Sequence, residues 1–222
     1  MRGGARQLAL DLPHAQSFRR DDFLESAANA AALALVERWP DWPGRSVAII
    51  GPAGSGKSHL AAIWAERAGA RIVAASALSA AGVPGALVTG ALVLEDLTPG
   101  RVEEAALFHL LNLARQEEAY LLLTSGERLD RGYALPDLAS RLRAIPAVEL
   151  GPPDDALLAA VLVKLFADRQ LAVDEGVISY LLPRMERSLA AASLLVARLD
   201  AAALSHGRAV TRPLAAEVLR AE

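Results

Sequence analysis

The chain has 222 residues, with 53% hydrophobic and 22% charged side chains and a formal net charge of −3. This composition is typical of a globular protein that forms one large domain, or a core with a small appendage. The negative charge argues against a global electrostatic attraction to DNA or to anionic membranes. Cysteine is absent, which excludes disulfides, thiolate zinc sites and a cysteine nucleophile and fits a reducing cytoplasm.

Residues 1–16 are predicted to form a flexible N-terminal tail. The apolar part of this tail is too short for a signal peptide and contains Asp11. Its residues 7–12, with the sequence Gln-Leu-Ala-Leu-Asp-Leu, have the pattern of a short edge strand. Their position in a tail without a core to join favours instead a peptide that binds another protein.

A helix is predicted over 26–38, opened by a polar cap. Trp39–Gly44 ends it, and Ser46–Ile50 is an apolar, β-branched run that predicts a buried strand.

The pattern G-x-x-x-x-G-K-[ST] follows this strand and precedes a segment with helical spacing. It is formed by Gly51, Pro52, Ala53, Gly54, Ser55, Gly56, Lys57 and Ser58. Glycines let consecutive backbone N–H groups surround an anion, and the helix N-terminus adds partial positive charge. In this pattern Lys57 reaches the β- and γ-phosphates and Ser58 ligates Mg²⁺. The sequence therefore predicts a binding site for ATP or ADP with Mg²⁺.

Apolar strands and helices alternate up to residue 150, which predicts a parallel sheet covered on both faces. Ile72–Leu94 carries no charge and is long enough to span a bilayer, but glycine and proline interrupt it. Two buried strands joined by a loop are favoured there. Beyond residue 152 only helices are predicted. We therefore expect a nucleotide-binding α/β domain over 17–151 and a small helical domain over 152–222.

Glu95 and Asp96 end an apolar strand, and the carboxyl ends of parallel strands open onto the ligand crevice. One of these acids is expected to hold the magnesium shell and the other to orient an attacking water. Glu95 occupies the position of the metal ligand, but the sequence leaves open which of the two acids has which role. Thr124 ends the next strand and is a candidate for a hydrogen bond to the γ-phosphate or the water.

The order of these features resembles the ATPase module of DnaA-type AAA+ replication initiators over essentially the whole chain. Within that group the chain is most similar to the Hda-type regulators that inactivate DnaA, in their alphaproteobacterial form. The resemblance implies a P-loop AAA+ core with a five-stranded parallel sheet, followed by a small all-helical lid domain. It is carried by Ser17–Asn29, Gly51–Leu60, the strand ends at Glu95-Asp96 and Leu123–Ser125, Asp137–Leu142 and Gly207–Thr211.

Roles at the nucleotide follow from this resemblance. Phe23 lies in the segment that contacts the nucleotide base, and His59 extends the nucleotide-binding run. Arg141 corresponds to an arginine finger that one subunit presents to the γ-phosphate of its neighbour.

A partner also follows from the resemblance. Gln7, Leu8, Leu10 and Leu12 resemble the peptide with which Hda-type proteins bind the sliding clamp. In that mode Gln7 fills a polar pocket while Leu10 and Leu12 fill a hydrophobic one.

The sequence also departs from the family pattern. The second-sensor arginine of the lid aligns with Ala190. Arg187, three residues earlier and on nearly the same predicted helix face, is a candidate substitute that contacts the nucleotide. With Glu95 at the metal position as well, we expect the chain's own ATPase to be weak at best.

These features predict a negative regulator of chromosomal replication initiation that binds ATP or ADP. It is expected to bind the DNA polymerase III sliding clamp (the beta subunit) and to stimulate ATP hydrolysis by DnaA through Arg141. The chain ends after the lid, so no DNA-binding domain is expected, and neither specific DNA binding nor membrane binding is predicted. The expected location is the cytoplasm, and both a monomer and a homodimer stay open.

Two other classes of protein share the phosphate loop. A helicase-loader-type AAA+ ATPase is expected to show a basic and aromatic surface for single-stranded DNA, whereas this chain has 5% aromatic residues. A P-loop small-molecule kinase is expected to need a substrate-binding insertion with clustered arginines.

Overall fold

The computed structural model describes residues 18–220, so the predicted clamp-binding peptide at Gln7–Leu12 lies outside the described residues. The described residues form two compact units, 18–153 and 154–220. Their helices and strands, in chain order, are α1 (Ala30–Glu37), β1 (Ser46–Ile50), α2 (Lys57–Ala68), β2 (Arg71–Ala74), α3 (Val83–Ala86), β3 (Ala91–Glu95), α4 (Glu104–Gln116), β4 (Tyr120–Ser125), α5 (Pro136–Arg143), β5 (Ala147–Glu149), α6 (Asp155–Asp168), α7 (Glu175–Leu181), α8 (Leu189–His206) and α9 (Arg212–Arg220).

The predicted five-stranded parallel sheet is confirmed, with the strand order β2-β3-β4-β1-β5. β4 lies between β1 and β3. Ile50 of β1 pairs with Ser125 of β4, and Leu94 of β3 pairs with Leu123 of β4. The segments that follow these three strands therefore leave the sheet at one edge.

Both faces of the sheet are covered, as the apolar strands predict. Successive side chains of a strand point to opposite faces, so Val47 and Ile49 pack with α1 and α2 while Ala48 faces the other side. The second face is covered by residues of α3, α4 and α5, including Leu107, Leu110 and Leu138.

The helix predicted over 26–38 is wrong at its start, because α1 begins at Ala30. The Asn29 side chain accepts a hydrogen bond from the Ser26 N–H at 2.9 Å and donates one to the Leu24 carbonyl at 2.9 Å. Such side-chain to backbone bonds compete with helix formation. They hold the segment before α1 in turns.

The prediction of two buried strands between Ile72 and Leu94 is wrong for the first strand. Within residues 18–220, β2 is an edge strand that pairs with β3, and Ile72 is 48% exposed. The connection to β3 also contains α3 and two 3₁₀ turns instead of a plain loop. Burial here depends on the place of the strand in the sheet, which the pattern of one strand does not contain.

The unit 154–220 is helical, with α6 to α9 packed around a hydrophobic core that includes Phe166, Leu181, Leu199 and Leu214. By length and composition, α8 (Leu189–His206) is apolar enough to cross a membrane. One face of α8 contributes to this core, however. Such packing is that of a core helix in a small bundle.

Candidate nucleotide-binding site

The phosphate loop connects β1 to α2 and takes its shape from two glycines. Gly54 has φ of 70° and Gly56 has φ of 103°, a region that residues with a Cβ atom rarely adopt. Gly56 is the N-cap of α2 and, having no side chain, leaves the first N–H groups of the helix without a side-chain cap. Unpartnered N–H groups and the helix dipole at this end favour an anion.

The first glycine of the loop is required for a different reason, close approach. A Cβ atom at Gly51 would lie 2.6 Å from the Leu150 carbonyl oxygen and 3.0 Å from the Ser55 hydroxyl. The Gly51 N–H also donates to the Ser125 carbonyl at 3.0 Å. The start of the loop is therefore fixed between the ends of β4 and β5.

Lys57, the first residue of α2, is buried and its ammonium group turns back onto the loop. It donates to the carbonyl oxygens of Gly51 and Pro52, both at 2.8 Å. An ammonium has three donors, so one donor is left for a phosphate oxygen. Burial lowers the pKa of Lys57, and the charges of Asp96 and Glu95 act in the opposite direction. Lys57 and the two predicted acids thus share one electrostatic site.

The end of β4 is hydrogen-bonded to the segment that follows β3. The Thr124 hydroxyl accepts a hydrogen bond from the Asp96 N–H at 3.0 Å, and the Thr124 carbonyl accepts one from the Leu97 N–H at 2.8 Å. The Ser125 hydroxyl donates to the Leu97 carbonyl at 2.8 Å. Because Thr124 is 1% exposed, its hydroxyl serves the backbone of Asp96 in this structure. The contact of Thr124 with a phosphate or water stays a prediction.

Asp96 has φ of 56°, in the left-handed region. Asp is among the few residues other than glycine that visit this region. Its backbone turns sharply after β3, and its side chain is exposed at the edge of the sheet. The Thr124 hydroxyl that holds its N–H stabilises this turn.

Two buried polar atoms of the site have no hydrogen-bond partner among the described residues, Ser55 Oγ and Glu95 Oε1. A buried polar atom without a partner is costly unless a ligand, an ion or water satisfies it. Their place beside the glycine loop fits a phosphate group and a divalent cation. Within residues 18–220, no group of three or more His, Asp or Glu side chains forms a metal site, so the predicted Mg²⁺ site depends on Ser58 and Glu95.

Phe23 and His59 lie together at the start of α2. Their rings meet edge to face with centroids 5.2 Å apart, and Phe18 meets His59 in the same way at 5.4 Å. His59 Nε2 also lies 2.9 Å from the Arg19 carbonyl oxygen. The N-terminal segment is thereby fixed beside the phosphate loop, although Phe23 itself is only 7% exposed. Its contact with a base stays a prediction.

Arg141 is not part of this cluster. It lies on α5, half-buried, with its guanidinium carbon 4.7 Å from the centroid of the Phe108 ring. The structure brings together the phosphate loop, Glu95, Asp96 and Thr124, and places Arg141 elsewhere on the same unit.

The helix-face argument for Arg187 is wrong. Ser188 is the N-cap of α8 and accepts a hydrogen bond from the Ala191 N–H at 3.0 Å, so the helix begins at Leu189. Arg187 therefore precedes the helix that carries Ala190, and it forms an exposed ion pair with Asp155 at 2.7 Å. Its contact with a nucleotide stays a prediction that rests on the resemblance alone.

Sequence reasoning missed the residues that hold α5. The Glu104 carboxylate accepts hydrogen bonds from the N–H groups of Ala134 and Leu135, both at 2.9 Å. Phe108, one turn along α4, contacts Arg141. An acidic residue in the first turn of a helix was the available signal, and it indicates only a favourable interaction with the helix dipole.

The helical unit matches a known sequence family. The sequence family described as "Hda, lid domain" matches residues 155–219, which is less than a third of the 222-residue chain. This match covers nearly all of α6 to α9.

Solved structures of low sequence identity share the fold. Domain III of the replication initiation protein DnaA from Thermotoga maritima is 18% identical, with a TM-score of 0.75, over 92% of this chain and 96% of that one. AMPPCP-bound DnaA from Aquifex aeolicus is 20% identical, with a TM-score of 0.62, over 80% of this chain. The RuvB Holliday junction branch migration motor from Thermotoga maritima is 16% identical, with a TM-score of 0.72, over 92% of this chain and 72% of that one.

The match spans only 63% of the Aquifex aeolicus DnaA chain, so the whole initiator's activities do not transfer with the fold. What the chain shares with these proteins is the fold, which in this chain is a five-stranded parallel sheet followed by a helical unit. The helical unit thus matches the Hda lid domain, and the chain as a whole has the fold of DnaA domain III.

Proposed function

We propose that this protein is a nucleotide-bound, cytoplasmic regulator that switches off the replication initiator DnaA. The observation that carries the proposal is the match of residues 155–219 to the Hda lid domain, a regulator's lid on an initiator-like core. In the proposed reaction, Arg141 enters the ATP site of DnaA and stimulates hydrolysis there. DnaA is left with ADP, in its inactive form.

The phosphate loop has a structural role in this proposal. Residues 51–58 hold the phosphates of ATP or ADP through backbone N–H groups and the free donor of Lys57. Ser58 and Glu95 hold Mg²⁺, which neutralises phosphate charge when it is bound. Asp96 is the candidate for orienting water, with its backbone held by Thr124 at 3.0 Å. Hydrolysis in this site is expected to be slow, because Ala190 stands in the place of the second-sensor arginine.

The position of Arg141 supports its role as a finger. Its guanidinium contacts a ring and forms no hydrogen bond or ion pair with the described residues, so all its donors are available to a phosphate. By contrast Arg143, two residues later, is paired with Asp130 at 3.2 Å. An arginine supplied in trans accelerates phosphoryl transfer by about 10³ to 10⁵.

The first experiment measures ATP turnover by DnaA with the clamp loaded on DNA. Arg141→Ala is expected to bind nucleotide and clamp as the wild type does, yet to lose the stimulation of DnaA. Arg143→Ala is the matched control on the same helix and should retain it. If Arg141→Ala stimulates DnaA like the wild type, the finger is assigned to the wrong residue.

Binding to the sliding clamp is the second part of the proposal and rests on the sequence of residues 7–12. A clamp tether raises the local concentration of the regulator near newly copied DNA without any DNA affinity of its own. Deletion of residues 7–12 should abolish capture of the protein by immobilised clamp. A scrambled hexapeptide of the same composition is the control, and capture that survives both changes would remove this part.

A further inference from the structure

A single helix, α4, holds the arginine of the proposed finger and the segment that leads into its helix. Glu104 and Phe108 are four residues apart on α4, so they lie on the same face of the helix. Glu104 binds the backbone that enters α5, and Phe108 contacts Arg141 on α5 itself.

The contact of Arg141 with Phe108 has the geometry of a cation–π interaction. The guanidinium carbon lies 4.7 Å from the ring centroid, within the roughly 6 Å over which the ring quadrupole attracts a cation. This interaction fixes the long side chain without using its N–H donors. An ion pair with a carboxylate would use those donors, as the pair between Arg143 and Asp130 does.

The helix that carries Arg141 is also fixed in rotation. Leu138 and Leu142 are 0% and 1% exposed and pack into the core beneath the sheet. They are the immediate helical neighbours of Arg141, one turn before and one residue after it. The direction in which Arg141 leaves α5 is therefore determined by the core.

The segment before α5 is fixed by Glu104. Both oxygens of its carboxylate accept a backbone N–H, from Ala134 and Leu135, at 2.9 Å. Hydrogen bonds to a charged acceptor are stronger than those between neutral groups. Burial, together with the charges of Glu104 and Glu127, raises the pKa of the neighbouring Tyr133 phenol to about 12.

We propose that Phe108 and Glu104 are positioning residues for Arg141, which they hold in place with its N–H donors available to the nucleotide of a partner protein. The proposal rests on the proposed function of Arg141 as a finger. In physical terms the ring lowers the conformational entropy that Arg141 loses when it enters the partner site. Phe108 packs against the core on the face of the sheet that α3, α4 and α5 cover.

The kinetic test uses clamp-loaded protein and ATP-bound DnaA, and compares Phe108→Leu with Phe108→Trp. Loss of the ring should lower the maximal stimulated rate of DnaA about three- to ten-fold. The concentration of regulator that gives half of this maximum should not change, because the docking surfaces are intact. Phe108→Trp keeps an aromatic ring and should retain the wild-type rate. If Phe108 only fills space in the core, Phe108→Leu should retain the rate as well.

A matched control comes from the helical unit, where Arg184 lies 4.1 Å from the ring centroid of Tyr180. Tyr180→Leu removes a cation–π contact that has no place in the proposal, and should leave the stimulated rate unchanged. Thermal unfolding of each variant shows whether a loss of rate is a loss of folded protein.

A second measurement does not require DnaA. In the full chain, the Arg141 side-chain protons should show an upfield ring-current shift by NMR, lost in Phe108→Leu and kept in Phe108→Trp. Glu104→Gln, whose amide offers only one acceptor, should weaken this shift without loss of nucleotide binding. Absence of the shift in the wild-type protein would overturn the proposal.

The outcomes separate this proposal from the proposed function. If Arg141→Ala loses stimulation and Phe108→Leu does not, Arg141 is the finger and the positioning role is wrong. If the wild-type protein does not stimulate DnaA, the proposed function is wrong, and the role of Phe108 in finger positioning is overturned with it.

Discussion

The helices of the two units begin in different ways. In the unit 154–220, three helices start with a residue whose side chain accepts an N–H three positions later: Asp154 at 2.7 Å, Asp174 at 2.9 Å and Ser188 at 3.0 Å. In the unit 18–153, none of α1 to α5 has a side-chain cap of this kind. The start of α2 is the extreme case, since its N-cap is Gly56.

The difference in helix capping suits the two units to different roles, since an uncapped helix start can bind a ligand and a capped one is already satisfied. A side-chain cap satisfies the exposed donors of a helix with an atom of its own sequence. The starts of α6, α7 and α8 are capped in this way, so a ligand gains little from the ends of these helices. At α2 the donors are left for an anion, and at α5 the entering segment is held by Glu104, a residue thirty positions earlier in the chain.

The largest effect is expected at Lys57, which belongs to the open helix start. Lys57→Ala should weaken ATP and ADP binding about 100-fold, because a charged donor to the phosphates is lost. Titration of a fluorescent nucleotide measures the change. Lys164, the chain's other lysine, lies on α6, and Lys164→Ala should bind nucleotide as the wild type does; equal weakening by both would contradict the site.

In the unit 18–153, which lacks side-chain caps on its helices, the hydrogen bond between Thr124 and Asp96 is expected to stabilise the fold. Thr124→Val keeps the shape of the side chain but leaves the Asp96 N–H without its acceptor. We expect a loss of about 1–2 kcal/mol in the free energy of unfolding, measured in urea. Thr124→Ser keeps the hydroxyl and should lose less, and a valine variant as stable as the wild type would show that the bond adds nothing.

A lid cap should matter locally and by a smaller amount. Asp174→Ala removes the acceptor for the Val177 N–H and should cost about 1 kcal/mol of stability. Asp174→Asn can still cap the helix and is the matched control. If the two variants unfold at the same urea concentration, α7 does not depend on its cap.

The smallest effect concerns the end of α5. Hydrogen bonds from Arg128 and Arg143 lower the pKa of Asp130 below its usual value. A carboxyl with a depressed pKa in the folded state stabilises the protein above its unfolded pKa of about 3.9, and this stability is lost as the pH falls through the folded pKa. Asp130→Asn should therefore be slightly less stable than the wild type at pH 7, and the difference should vanish in acid. A difference that is independent of pH would point to lost packing.

The fold was largely accessible from the sequence. The strand, glycine loop and helix around Gly51–Ser58 follow from local patterns, and so does the helical character of the chain beyond residue 152. Apolar strands that alternate with helices predict a parallel sheet, and a parallel sheet brings Glu95 and Thr124 to the edge that carries the loop. Each of these inferences uses a local motif or the period of an apolar pattern.

What escaped prediction depends on contacts between distant residues. The exposure of β2 follows from its place at the edge of the sheet, and the delayed start of α1 follows from the hydrogen bonds of Asn29. The bond between Thr124 and Asp96 joins two residues that are 28 positions apart in the chain. The same applies to Glu104, whose partners Ala134 and Leu135 carry no sequence signal because they offer backbone N–H groups.

The left-handed backbone of Asp96 has a consequence for protein engineering. A residue with a Cβ atom in this region costs about 1 kcal/mol or more relative to glycine. Asp96→Gly would thus relax the turn after β3 and raise the melting temperature, while it removes a carboxylate from the nucleotide site. A search for thermostable variants would select this substitution, and a search for functional ones would reject it. Position 96 is a place where the chain gives up stability to hold an acid at the edge of its sheet.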